Sequence, residues 1–261
     1  MKYINRLVVL LFIFTSFFNQ AEVNVAEKGY AIAKKLDTRD LGFQDSSSEL
    51  SMILKDTNGA ESVRDLNVQT LENPNGGNKT LIKFTFPVDI QGTALLTHPK
   101  NAENDEQWLF LPVVKRVKRI SSRNKSGAFM GSEFSFEDMT SKSIDDFNYR
   151  YITTEDCASN RRCDVLERIP KDKHSGYSKQ VIWVDLADTI VHKIEFYDRK
   201  KALYKVLTAS DFKLYENKYW RAHNVEMVNV QTGKETTLAY KSFSFTTGLA
   251  DSDFHRSVLQ R

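Results

Sequence analysis

Residues 82–87, Ile-Lys-Phe-Thr-Phe-Pro (IKFTFP), set the fold class of this chain. Successive side chains of a β-strand point to opposite faces, so Ile82, Phe84 and Phe86 share one apolar face while the polar residues between them share the other. Pro87 lacks a backbone N–H and ends the run. The stretch therefore predicts a strand with one apolar face.

The same alternation recurs on both sides of this stretch, from about residue 49 to residue 245. Leu50, Met52 and Leu54 form one further apolar face, and Asn-Gly and Gly-rich turns separate the runs. Residues 181–184 are apolar at every position, which favours burial on both faces. Since no long helices alternate with the strands, we predict a mainly β fold with about eleven antiparallel strands.

Three stretches have helical spacing or character. Residues 25–36 predict an amphipathic helix whose buried stripe comprises Val25, Gly29, Ile32 and Leu36. Residues 137–147 carry apolar side chains with little strand character and predict a second helical piece. Residues 251–259 predict a C-terminal helix that an Asp or Ser caps.

The N-terminus has the three-part layout of a secretory signal. Lys2 and Arg6 precede the apolar run Leu7–Phe18, and Ala21 offers a cleavage point. The run is shorter than the roughly 20 residues that a transmembrane helix needs, although an uncleaved anchor is the alternative. We predict cleavage after residue 21, export to the periplasm and one domain over residues 22–261. No cysteine lies near the end of the apolar run, where the lipid attachment residue of a lipoprotein is usually found.

Charge and cysteine content restrict the possible partners. The chain has 37 basic and 34 acidic residues. Loss of the signal, with its two basic residues, leaves the mature chain close to neutral, so no nucleic-acid partner is expected. Cys157 and Cys163 meet an oxidising compartment after export, and we predict that they form a disulfide. No histidine lies within ten residues of either cysteine, so neither a metal site nor a cofactor is expected.

Motifs of known enzymes are missing from the sequence. It contains no Gly-x-Ser-x-Gly, no His-Glu-x-x-His and no Gly-rich phosphate loop, and its five histidines are scattered. No catalytic residue is assigned. The densest basic run, Lys115–Arg119, has two interpretations: a docking surface for anionic headgroups or an acidic partner, or the solvated face of a strand.

An ordered series of motifs in the centre of the chain resembles a known family. The series is FPVDIQGTALL (86–96), WLFLP (108–112), KRVKRI (115–120) and FMGSEFSFED (129–138). It is similar to the bacterial outer membrane lipoprotein-sorting protein family, relatives of the LolA and LolB lipoprotein carriers, over about residues 25–245. The resemblance implies an incomplete, strongly curved antiparallel β-barrel with helices closing its mouth.

The resemblance also implies a function. LolA-like domains receive acyl chains in an apolar groove and have no catalytic residues there. The family suggests a membrane transporter of the RND type as a partner, and we expect a monomer. We predict that the groove is lined by aromatic residues, namely Phe84, Phe86, Trp108, Phe110, Phe134 and Phe136. Met139 and Phe147 are predicted to form part of a movable lid.

Arg64 is predicted to share a strand face with Leu66 and Val68. A charge on an apolar face is costly unless it is hydrogen-bonded or reaches solvent. In one interpretation Arg64 lies at the wet end of its strand. In the other, its guanidinium bonds to carbonyls or carboxylates of the lid and latches the groove, as the LolA resemblance implies for an arginine on an early strand.

Two other functions stay open at this level. The first is an accessory subunit of an exporter that binds no lipid, which a missing or filled cavity would favour. The second is a lipid hydrolase, which would need a serine or histidine facing a carboxylate inside the groove.

Overall fold

The computed structural model describes residues 24–73, 77–99, 105–158 and 160–260. The predicted signal, residues 1–21, lies outside this part. In the described residues there is a single α-helix, α1, at 24–39, and no helix is both long and apolar enough to cross a bilayer. The strands are β1 (Asp45–Lys55), β2 (Glu61–Leu71), β3 (Lys79–Phe86), β4 (Ala94–His98), β5 (Glu106–Leu111), β6 (Arg116–Ile120), β7 (Phe147–Asp156), β8 (Arg162–Pro170), β9 (Tyr177–Asp185), β10 (Val191–Asp198), β11 (Leu203–Tyr215), β12 (Tyr219–Asn229) and β13 (Glu235–Phe245).

All these strands form one antiparallel sheet. Its order is β6-β5-β4-β3-β2-β1-β13-β12-β11-β10-β9-β8-β7, so the first and last strands of the chain pair in the middle. The edge strands β6 and β7 do not pair with each other, and the sheet stays unclosed. The predicted mainly β, antiparallel fold is confirmed. The predicted count of about eleven strands was too low, because the sheet has 13.

β4, one of the strands that the alternation pattern missed, has no alternation of buried and exposed residues. In β4 (ALLTH) four of the five residues are buried, since both faces are covered. Conversely, Phe134 and Phe136 do not lie in a strand, and the nearest pairing is the isolated bridge between Ala128 and Ser135.

The two additional predicted helices are wrong as α-helices. Residues 137–147 contain only short 3-10 turns before β7 begins at Phe147. The C-terminal stretch forms two 3-10 helices, Asp251–Phe254 and Arg256–Gln260. Runs of 3-10 geometry are short because their hydrogen bonds are poorer than those of an α-helix.

Strands from distant parts of the sheet contribute to a single buried cluster. Leu109 from β5 and Phe196 from β10 belong to the same cluster as Met52, Leu66 and Phe84 from the centre of the sheet. One face of the sheet can bring these side chains together only if it curves around them. We call this face the concave face.

Helix α1 lies against the concave face at β7–β9. Ala33 packs against Leu166 and Ile182, and Gly29 is buried, as the predicted stripe requires. A Cβ atom at Gly29 would lie 2.8 Å from the backbone nitrogen of Tyr151 in β7. The helix therefore approaches the strand backbone so closely that only glycine fits.

The opposite, convex face is covered at β3–β5 by the C-terminal segment, residues 246–260. Phe254 and Leu259 of this segment pack against Leu96 and Trp108 of the sheet. The sheet is thus apolar on both faces in this region, which explains why its strands lack a polar side.

Candidate functional site

The chain between β6 and β7, residues 121–146, lies across the concave face, and we call it the plug segment. Its Phe129 is 0% exposed and its Phe134 is 3% exposed, both in the cluster that contains Phe84. The Phe129 ring centroid lies 5.8 Å from that of Phe84 and 5.6 Å from that of Phe136. The concave face is therefore filled by rings of the plug segment.

Arg64 joins the sheet to the plug segment. It lies opposite Met52 in the β1–β2 register, on the concave face, and its Nη1 donates a hydrogen bond to the carbonyl of Met130. Burial lowers the pKa of Arg64, and Asp89 partly offsets this effect. Met130 has φ 51° and ψ 33°, a left-handed conformation that is uncommon outside glycine. The contact to a carbonyl is the one that the latch hypothesis requires, and the latch function itself stays a prediction.

Three further strands hold the plug segment at Glu133. Lys205 donates to the Glu133 carbonyl, and Asn229 donates to the Glu133 carboxylate at 2.8 Å. The backbone N–H of Glu133 donates to the Thr236 hydroxyl at 2.9 Å. Burial lowers the pKa of Lys205. Sequence reasoning missed these residues. The sequence does contain one indication of Lys205, since this lysine shares a strand face with Leu207 and a charge on an apolar face needs a partner.

Further polar contacts add to the attachment. Gln107 is fully buried on β5, and its Nε2 donates to the carbonyl of Phe136 at 2.9 Å. The Glu137 carboxylate accepts a hydrogen bond from the backbone N–H of Gly176 at 3.1 Å. Burial raises the pKa of Glu137, and the nearby Asp138 adds to the shift. The plug segment is thus held by separate side-chain contacts rather than by a strand ladder.

The six predicted groove residues do not share one surface. Phe84 lies on the concave face, where Phe134 and Phe136 of the plug segment pack against the same cluster. The placement of Trp108 and Phe110 in a common groove with Phe84 was wrong, because both lie in the convex cluster under the C-terminal segment. The physical reason is that β5 is apolar on both faces, so alternation cannot tell its inner side from its outer side.

The remaining predicted groove and lid residues also differ in position. Phe86 is 49% exposed at the end of β3. Met139 belongs to the plug segment and packs, half-buried, against the concave cluster. Phe147 is the first residue of β7, and its ring centre lies 4.4 Å from the Arg168 guanidinium carbon. Phe147 is therefore part of the sheet, whereas Met139 belongs to the segment that could move.

Two cavities adjoin the plug segment. A cavity of about 520 Å³ lies between α1, the end of the plug segment and β7–β9. Its lining residues are Ala33, Leu36, Asp37, Arg39, Asp40, Leu41, Phe43, Gly77, Asn78, Ser141, Lys142, Ser143, Ile144, Asp145, Tyr149, Leu166, Arg168 and Ile182. A second cavity of about 400 Å³ is lined by Ser126, Glu137, Gly176, Tyr177, Asp198, Arg199, Lys200, Tyr204 and Lys205.

The predicted disulfide is confirmed. Cys157 and Cys163 are bonded with a Cα–Cα distance of 5.8 Å, at the turn between β7 and β8. Within the described ranges, no group of three or more His, Cys, Asp or Glu side chains is arranged to hold a metal ion.

Solved structures similar to this chain share nearly its whole length. A domain from Vibrio parahaemolyticus, described as an outer membrane lipoprotein-sorting protein domain, is 48% identical, with 90% of this chain and 100% of that chain covered and a TM-score of 0.88. A DUF1329 family protein from Desulfovibrio piger is 28% identical over 90% of this chain and 99% of that chain, with a TM-score of 0.84.

A LolA superfamily protein from Nitrosomonas europaea is 19% identical over 90% of this chain and 99% of that chain. Its TM-score of 0.71 shows a common fold. A family model described only as an uncharacterized protein matches residues 76–261. No curated protein matches the chain. By its identity to the Vibrio domain over nearly the full length, the chain belongs to the outer membrane lipoprotein-sorting protein family, whose fold is LolA-like.

Proposed function

We propose that this protein is a periplasmic carrier that holds an acyl chain of a lipid or lipoprotein between the concave face and the plug segment. The observation that carries the proposal is an apolar concave face covered by a segment that contains neither an α-helix nor a strand, only short 3-10 turns. The separate side-chain contacts that hold such a segment can be broken together, whereas an intact strand ladder resists local opening. Membership in a lipoprotein-sorting family gives the same ligand class.

The burial of an acyl chain offsets the exposure of the rings that it displaces. An acyl chain of about 14–16 carbons brings roughly 11–13 kcal/mol on burial, before the costs of ordering and association. Exposing two buried phenylalanine rings, such as Phe129 and Phe134, costs about 3–6 kcal/mol. The acyl chain therefore wins the exchange by a margin small enough to permit release to a partner.

Arg64 has the position of a latch in this proposal. Its bond to the Met130 carbonyl holds the plug segment at a residue whose left-handed backbone is itself unfavourable. Breaking the bond would release the strain, so Arg64→Leu should leave the fold intact and speed both uptake and release of an acyl ligand.

Uptake of a fluorescent fatty acid by the purified protein tests the carrier function. Phe84→Glu should abolish uptake, because it places a carboxylate on the concave face. Phe86→Glu is the matched control, since this ring is on the same strand and half exposed. A wild type that takes up no acyl probe would refute the carrier function. Unchanged rates in Arg64→Leu would refute the latch alone.

A second function is favoured by one observation, the filling of the concave face by Phe129 and Phe134. A protein with a permanently filled face would serve as a non-lipid-binding accessory subunit of an exporter. Native mass spectrometry of the protein purified from periplasm separates the two: a carrier retains lipid mass and an accessory subunit does not. A monomeric state and a membrane transporter of the RND type as partner belong to both proposals.

The proposal assigns no catalytic residue. In the described part of the chain, no serine is hydrogen-bonded to a histidine, and His192 contacts the Asp185 carboxylate away from the concave cluster. The hydrolase alternative thus gains no supporting observation.

A further inference from the structure

The cavity of about 520 Å³ beside α1 contains cations that the proposed carriage of acyl chains does not use. Arg39, Lys142 and Arg168 line it, and all three are partly buried. Arg39 is the last residue of α1, Lys142 belongs to the plug segment and Arg168 lies on β8. Three separate elements therefore place a positive charge at one cavity.

Arg168 and Arg39 each have guanidinium N–H groups that bond to no acceptor in the described residues. Arg168 donates from Nε to Gln180 at 2.7 Å and stacks on Phe147, which fixes its plane, yet neither Nη group has an acceptor among the described residues. Among the described residues the buried Nε of Arg39 has no hydrogen-bond partner, and Nη1 of the same side chain makes a long contact of 3.5 Å to the Asp188 carbonyl. The Arg39 Nε is the donor of the two arginines that is shielded from solvent in the described residues. Buried donors are nearly always satisfied in folded proteins, so this one points to an absent acceptor, and the Nη groups of Arg168 lie at the same cavity.

The carboxylates at this cavity do not supply that acceptor. Asp37 and Asp145 are exposed, and no ion pair joins them to the three cations in the described residues. Asp40 is bonded to Arg221 at 2.6 Å. The partly buried portion of the cavity is thus cationic.

Apolar side chains form the rest of the wall and continue into the concave face. Leu36, Ile144 and Ile182 line the cavity. Ile194 packs against both the cluster under α1 and the cluster under the plug segment, so the two apolar regions are continuous. A volume of about 520 Å³ lies within the range of small-molecule sites.

We propose that this cavity binds the anionic headgroup, a carboxylate or phosphate, of an amphiphile whose alkyl chain continues along the concave face. Arginine forks match such oxyanions with paired hydrogen bonds, which suits both headgroups. The inference rests on the proposed carrier function and narrows its ligand class from any acyl chain to an anionic amphiphile.

Calorimetric titration of the full mature protein with dodecanoate and with dodecanol tests this inference at a pH where the acid is ionised. Wild type should bind dodecanoate about tenfold or more tightly than dodecanol. Arg39→Gln/Arg168→Gln should remove that preference without weakening dodecanol binding. The exposed pair Arg116→Gln/Arg162→Gln removes the same charge and should change neither affinity.

Circular dichroism checks that each variant folds. If the double variant does not fold, Arg39→Gln alone replaces it, because this change breaks only the 3.5 Å contact to the Asp188 carbonyl. Equal binding of dodecanoate and dodecanol by wild type would overturn the inference and leave the carrier function standing. Binding of neither would overturn the carrier function. If Arg116→Gln/Arg162→Gln loses as much dodecanoate affinity as Arg39→Gln/Arg168→Gln, the effect is one of overall charge, and the proposed site is wrong. Displacement of dodecanoate by millimolar inorganic phosphate would make this a site for free anions and overturn the amphiphile assignment.

Discussion

Replacing Phe129 with alanine separates the two tasks of the plug segment, packing and competition with the ligand. The ring is 0% exposed and contacts Phe84 and Phe136. Truncation of a buried phenylalanine costs about 3–5 kcal/mol, so the free energy of unfolding should fall by that amount. An acyl ligand no longer has to displace the ring, which is worth about 1.5–3 kcal/mol, so its affinity should rise roughly tenfold to a hundredfold.

Urea unfolding followed by tryptophan fluorescence measures the first effect, and titration with a fatty acid measures the second. Phe254→Ala is the matched control, because this ring is also 0% exposed but lies on the convex face under the C-terminal segment. We expect it to lose similar stability with no gain in affinity. If Phe129→Ala binds the fatty acid no better than wild type, the ring does not compete with the ligand and the displacement argument is wrong.

Three further predictions concern stability. Cys157→Ala/Cys163→Ala opens a loop with a sequence separation of 6 and should lower the free energy of unfolding by about 2 kcal/mol in urea; no loss would mean that the chain-entropy estimate does not apply. Burial raises the pKa of Asp45, but hydrogen bonds from Thr247 and its neighbours outweigh burial and hold the pKa below 3.8. The resulting stabilisation is present above pH 3.8 and is lost as the pH falls through the folded-state pKa. Asp45→Asn should therefore make the free energy of unfolding fall less steeply with decreasing pH in this range, and an unchanged slope would contradict the prediction. Gly29→Ala should destabilise the protein by about 1–3 kcal/mol in thermal unfolding, because its Cβ would meet the β7 backbone at 2.8 Å; a more stable variant would show that α1 can move away freely.

The alternation pattern predicted strands whose two faces differ, such as β1 and β3, and missed β4, whose two faces are alike. β1 and β3 alternate because only their concave side is apolar at the centre of the sheet. β4 is covered on both sides, and the cover on its convex side comes from residues 246–260, far away in the chain. No local pattern contains that information. For the same reason, the inner side of β5 could not be told from its outer side.

The polar contacts of the candidate site were predicted only where one residue broke a local pattern. Arg64 was found because a charge interrupts an apolar strand face, and its partner could be assigned to two classes, carbonyls or carboxylates of the lid, but not to a residue. Lys205 and Gln107 interrupt their strand faces in the same way and have the same kind of partner. The plug segment itself could not be predicted, because Phe134 and Phe136 alternate like strand residues although their partners are spread over several strands.

The unclosed sheet has a consequence for self-association. An edge strand with free backbone donors and acceptors can pair with the edge of a second copy and start a polymer. Here β6 has Arg116, Lys118 and Arg119 exposed, so a second β6 brought alongside would meet like charges. The other edge, β7, has α1 seated against its backbone at Gly29. We therefore expect that the barrel can remain open enough for the plug segment to move without exposing the protein to edge-to-edge aggregation.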